Sequence, residues 1–89
     1  MSNIVKENDF IKIIIPPNTQ EKHQIIIPNT DHYDVIVIAQ ENSNVSLDID
    51  LKDVKEINLN FTFELERNAS LKEDLFSIEN EGNIKIEQN

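Results

Sequence analysis

Apolar and polar residues alternate with a period of two through most of this chain. The longest run, Ile57-Asn58-Leu59-Asn60-Phe61-Thr62-Phe63-Glu64-Leu65, keeps the beat for nine residues. Side chains on a strand point to opposite faces at successive positions, so such a run predicts a half-buried β-strand. Ile57, Leu59, Phe61, Phe63 and Leu65 are expected to face inward, with Asn58, Asn60, Thr62 and Glu64 outward. The same beat recurs at Val45-Ser46-Leu47-Asp48-Ile49-Asp50-Leu51 and at Asn83-Ile84-Lys85-Ile86-Glu87.

Seven strands follow from the pattern: Phe10–Ile15, Gln24–Ile27, Asp34–Ala39, Val45–Leu51, Ile57–Leu65, Leu71–Ile78 and Asn83–Glu87. Their spacing is that of an all-β sandwich, barrel or solenoid. Three runs, Ile13-Ile14-Ile15, Ile25-Ile26-Ile27 and Val35-Ile36-Val37-Ile38, are continuously apolar and read as buried on both faces. Asn68-Ala69-Ser70-Leu71-Lys72-Glu73-Asp74-Leu75 is the one segment that also suits two turns of helix. Residues 1–9 read as an N-terminal extension and residues 10–89 as a single all-β domain.

Turn chemistry narrows the winding. Tight hairpins rely on glycine for positive φ, yet the chain has a single glycine, Gly82. Asparagine stands between the strands instead, at Asn18, Asn29, Asn42, Asn44, Asn68, Asn80 and Asn83. Wide turns that carry the chain from one sheet to another need less glycine, which favours a coil-like winding. Ile13-Ile14-Ile15-Pro16-Pro17-Asn18-Thr19 is echoed by Ile25-Ile26-Ile27-Pro28-Asn29-Thr30, suggesting two equivalent strand-and-corner units. Proline after each isoleucine run ends strand pairing because it has no N–H to donate.

Seventeen acidic residues against eight basic ones give a net charge of −9. Such a surface repels phosphate backbones, so no nucleic-acid partner is expected, and it favours basic proteins. With no cysteine, the chain cannot form disulfides, thiolate metal sites or a cysteine nucleophile. Neither an apolar signal core nor a run of about 20 apolar residues is present, so no membrane association and a cytoplasmic location are expected.

The segment order resembles the core of the iron–sulfur assembly scaffold proteins SufB and SufD over residues 11–87. The resemblance rests on the proline–asparagine corner ending Ile13–Asn18 and the short strand Ile25–Ile27. It continues through the strand and acidic–asparagine corner of Val35-Ile36-Val37-Ile38-Ala39-Gln40-Glu41-Asn42-Ser43-Asn44-Val45-Ser46-Leu47. The strand Ile57–Leu65 and the corner Glu66-Arg67-Asn68-Ala69-Ser70-Leu71 complete it. It implies a short right-handed parallel β-helix-like solenoid with two sheets, and a scaffold role associated with iron–sulfur cluster assembly. It carries over no functional residue, since the family's cluster-anchoring cysteine has no counterpart here. The alternative architecture is an antiparallel β-sandwich.

Candidate chemistry is sparse. Asp48, Asp50 and Asp53 have the Asp-x-Asp spacing of a cation loop but no glycine turn, and the alternation puts Asp48 and Asp50 on an outer strand face. His23 and His32 are the only imidazoles, and they read as corner residues. In His32-Tyr33-Asp34 a carboxylate is close, but consecutive strand residues face opposite ways. Glu64 with Glu66, and Glu79 with Glu81, are carboxylate pairs without the cleft that glycoside hydrolysis needs. The sequons at Asn44, Asn60 and Asn68 have meaning only in a secreted chain. No catalytic, cofactor-binding or metal residue is assigned, and no cofactor or small-molecule substrate is expected.

The expectation is therefore a non-enzymatic interaction module. It pairs with itself, most simply as a homodimer, or with a protein partner through β edges or coil ends. The alternative is an acidic inhibitor or immunity-type protein that blocks a basic partner.

Overall fold

The computed structural model describes residues 2–51, 57–76 and 84–88, with side-chain surroundings for 2–51 and 57–72. Eight strands follow one another: β1 (Asn3–Lys6), β2 (Phe10–Ile15), β3 (Gln20–Ile26), β4 (His32–Ala39), β5 (Asn44–Asp50), β6 (Ile57–Leu65), β7 (Ser70–Phe76) and β8 (Ile84–Gln88). The all-β expectation holds, and β2 and β6 keep the bounds read from the alternation. Residues 1–9, expected as an extension, contribute β1.

The strands divide into a five-stranded sheet, β1-β2-β4-β6-β8, and a three-stranded sheet, β3-β5-β7. Only β1 with β2 is antiparallel, whereas β2·β4, β3·β5, β4·β6, β5·β7 and β6·β8 are parallel. The antiparallel sandwich is therefore not the arrangement. From β2 onward the chain alternates between sheets, and each return adds a parallel strand beside the one before. Phe10 faces Asp34, His32 faces Asn58 and Ile57 faces Ile84, so successive returns take 24, 26 and 27 residues.

That period revises the internal repeat. Ile13 and Ile15 lie on β2 and Ile25 on β3, in different sheets, so the two echoing segments sit half a return apart and are not equivalent. The equivalent corners are Pro17-Asn18-Thr19, Glu41-Asn42-Ser43 and Arg67-Asn68-Ala69. Each places its asparagine in the left-handed region, with φ of 59°, 61° and 60° at Asn18, Asn42 and Asn68. Asparagine tolerates this conformation better than other residues with a Cβ, which explains how these corners form without glycine. The suggested helix over 68–75 is also corrected. Arg67 and Asn68 form a turn, and β7 then pairs along its length with β5.

The core is one file of odd-numbered positions. Ile11, Ile13 and Ile15 of β2 stack on Val35, Val37 and Ala39 of β4, and Ile57, Leu59 and Phe61 of β6 extend the layer. Ile25, Val45, Leu47 and Ile49 close it from the other sheet. Even-numbered members of the apolar runs are not buried on both sides: Ile14, Ile36 and Ile38 are half-exposed and Ile26 is exposed. Among the described residues no third layer covers them, so the pleat alternation governs the continuous runs as it does the mixed ones. Inward placement along β6 fades toward its end. Phe63 packs against the core only in part and Leu65 is 47% exposed, because β8 pairs only with Ile57 to Phe61.

Tyr33 is fully buried on β4, and among the described residues its Oη has no hydrogen-bond partner. A buried hydroxyl left unpaired costs roughly 1–3 kcal/mol. Tyr33→Phe is therefore expected to raise stability by about 1 kcal/mol in denaturant unfolding. Burial, with a smaller contribution from the charge of Asp9, pushes the Tyr33 phenol above its ordinary value of 10.0. A group raised in the folded state contributes its full stability below its unfolded pKa and loses it as pH rises toward the folded one. The advantage of Tyr33→Phe should therefore widen above pH 10. A gap that stays constant across that range would contradict the burial of the hydroxyl.

Candidate interaction surfaces

Strand alternation and register determine what each outer face presents. On the three-stranded sheet the rows read Gln20–Asn44–Ser70, Lys22–Ser46–Lys72, Gln24–Asp48 and Ile26–Asp50. Among the outward residues whose side-chain surroundings are described, this face is polar apart from Ile26. Asp48 and Asp50 point outward as expected, and Asp48 meets Lys22 at 3.5 Å in an exposed pair worth little. Asp53 lies outside the described residues, as do Glu79 and Glu81. Among the described residues no three His, Asp or Glu side chains form a metal-binding group.

On the five-stranded sheet the outward rows are Asn3–Ile14–Ile38–Glu64, Val5–Lys12–Ile36–Thr62, Phe10–Asp34–Asn60 and His32–Asn58. Here apolar side chains remain at the surface. Beside them His32 and Asp34, two residues apart on β4 and so on one face, meet at 3.2 Å, while Asn60 donates to Asp34 at 3.0 Å. Comparing consecutive residues missed this contact, and the i to i+2 spacing would have found it. Glu64 lies outward on β6 and Glu66 in the following corner, both exposed.

The corner joining the two sheets is a stack of side-chain hydrogen bonds. Asn42 Nδ2 donates to Asn18 Oδ1 at 3.1 Å and Asn68 Nδ2 to Asn42 Oδ1 at 3.2 Å, forming a ladder across three returns. Ser70 donates to Asn44 one step further on. Beneath the ladder the Thr19 and Ser43 hydroxyls donate to the Pro16 and Gln40 carbonyls, both at 2.6 Å. These bonds satisfy backbone acceptors at the turn. Two of the three sequon asparagines, Asn44 and Asn68, belong to this stack.

His23 is not a corner residue. It lies on β3 beside Glu21, Nε2 to Oε1 at 2.7 Å, both about four-fifths buried. Their register partners on β5 are Leu47 and Val45, so the pair occupies core-facing positions at the edge strand of its sheet. Burial pushes the Glu21 carboxyl up, but hydrogen bonds from Ser2 and His23 outweigh it and hold the group below its ordinary value. Among the described residues no helix is long and apolar enough to cross a membrane. No family model, curated protein or solved structure matches this chain.

Proposed function

We propose that this chain is a non-enzymatic association module, wound as a short right-handed parallel β-helix-like solenoid, with a scaffold role of the SufB/SufD type. The observation that carries the reading is the edge strand β3. Its seven residues pair with β5 on one side, and it ends on Ile26, 61% exposed. A strand edge that is unpaired among the described residues and carries an exposed isoleucine is a template for another chain. Support for the scaffold resemblance comes from its three corner segments, whose asparagines Asn18, Asn42 and Asn68 stack on one another.

The partner is a protein, in the simplest case a second copy in a closed dimer. Light scattering behind a sizing column, at micromolar concentration and moderate salt, is expected to give the mass of a dimer or larger. Ile26→Lys, a charge placed on the edge, is expected to lower the associated fraction. A strictly monomeric mass at high concentration would count against self-association. A second reading, an acidic protein that covers a basic partner, is favoured by the acidic residues bordering the apolar outer face of the five-stranded sheet.

A further inference from the structure

The two outer faces differ in a way that their shared alternation does not require. The three-stranded sheet has one exposed apolar residue among its described outward positions, whereas the five-stranded sheet gathers Val5, Phe10, Ile14, Ile36 and Ile38. Register makes these a patch. Ile14 lies opposite Ile38, and Lys12 lies opposite both Val5 and Ile36. On one sheet face, directly opposite side chains are about 5 Å apart, so the apolar groups are neighbours around a single cation.

The borders of this patch are acidic. At the starting ends of β2 and β4 stand Glu7, Asp9 and Asp31, all exposed, with Lys6 of β1 the neighbouring cation. Asp9 and Asp31 are tied to the strands, their carbonyls accepting from the amides of Asp34 and Asn58 at 3.0 and 2.8 Å. At the finishing ends stand Glu41, Glu64 and Glu66, exposed, with Arg67 the neighbouring cation. Two copies packed face to face would bring acidic border against acidic border in either strand direction. A partner whose own borders are basic meets opposite charge at both ends and apolar surface between them, the arrangement that gives interfaces register and fast association.

We infer that the outer face of the five-stranded sheet, centred on Ile14, Ile36 and Ile38, docks a protein surface that is apolar in the middle and bordered by lysine or arginine. This rests on the second reading, an acidic protein that covers a basic partner, and gives it a face; it is separate from the β3 edge that carries the self-association reading. The test is a displayed library of amphipathic helical peptides, with a fixed apolar face and randomised border positions. It is selected on the whole protein and counter-selected on the double variant Ile36→Thr/Ile38→Thr. Threonine suits strands, and circular dichroism checks that the variant is folded. Glu41→Lys/Glu66→Lys leaves the apolar patch intact and reverses one border.

Enrichment of Lys and Arg at the borders is expected, with affinity falling roughly tenfold or more in either variant. Binding should also weaken as salt shortens the Debye length from about 10 Å at 0.1 M to about 3 Å at 1 M. Neutral or acidic borders, or peptides that do not distinguish wild type from the variants, would overturn the inference. So would a wild-type dimer that disappears in Ile36→Thr/Ile38→Thr, since the occupant would then be a second copy. Self-association that persists in that variant, with no face-specific peptide, removes the docking face and leaves the association reading standing. A monomer that selects no peptide removes both.

Discussion

Phe61→Ala is expected to cost about 3–5 kcal/mol, the range for deleting a fully buried aromatic ring. Phe61 is 0% exposed and lies in register with Val35 on β4, among the largest side chains of the core. The core between the two sheets is thin, so the cavity has few neighbours able to move into it. Phe63 is the internal control. Its ring lies 5.6 Å from that of Phe61, nearly stacked, but packs only against the margin of the core. Phe63→Ala is therefore expected to cost clearly less than Phe61→Ala in the same denaturant titration. Equal losses would mean that β6 is buried along its whole length, and a larger loss at Phe63 would misplace the core.

Asn42→Val is expected to destabilise by about 2–4 kcal/mol. Holding a residue with a Cβ in the left-handed region costs roughly 1–2 kcal/mol, more for a β-branched one. Asn42 adopts φ 61° and stands at the middle of the ladder, accepting from Asn68 and donating to Asn18. Its amide also donates to the Arg67 carbonyl at 3.0 Å, tying one return to the next. Asn42→Gly separates the causes. Glycine adopts the same φ without strain, so its cost is mainly that of the two exposed ladder bonds, expected near 1 kcal/mol. Asn42→Gly as damaging as Asn42→Val would show that the ladder, and not backbone conformation, holds the corner.

Much of this architecture is legible in the residues because strand alternation is a local property. The parity that buries Ile11, Ile13 and Ile15 and exposes Lys12 is written in the sequence, as is the replacement of glycine by asparagine at the corners. What escapes is decided by pairing. Asn3-Ile4-Val5-Lys6 is four residues with no alternation, and it is a strand only because β2 offers an edge. Gln20-Glu21-Lys22-His23 carries no apolar residue, yet it is the first half of β3 because β5 runs beside it. Ala69, Leu71, Lys72 and Glu73 favour helix individually, and the parallel partner overrides them.

The continuous apolar runs mislead for the opposite reason. A continuous run suggests cover on both faces, but the described strands form two sheets, and each has one inner side. Ile14, Ile36 and Ile38 are thus left at the surface, where the candidate docking face lies. The same limit applies to His32 and Asp34, whose contact depends on face-sharing at i and i+2.

Every surface described here depends on the winding, in which β5 lies between β3 and β7 with all three parallel. The chain has no cysteine, so introduced pairs report on it without interference. Lys22 faces Ser46 and Ser46 faces Lys72 across adjacent strands, at a spacing within the 4.4–6.8 Å Cα range that a disulfide spans. Lys22 and Lys72 are two strand spacings apart, roughly 10 Å, and beyond that reach. On mild oxidation of the folded protein, Lys22→Cys/Ser46→Cys and Ser46→Cys/Lys72→Cys should each close an intramolecular bridge, while Lys22→Cys/Lys72→Cys should stay reduced. Bridging of the Lys22→Cys/Lys72→Cys pair, with the two neighbouring pairs left open, would contradict the parallel β3-β5-β7 order and the surfaces built on it.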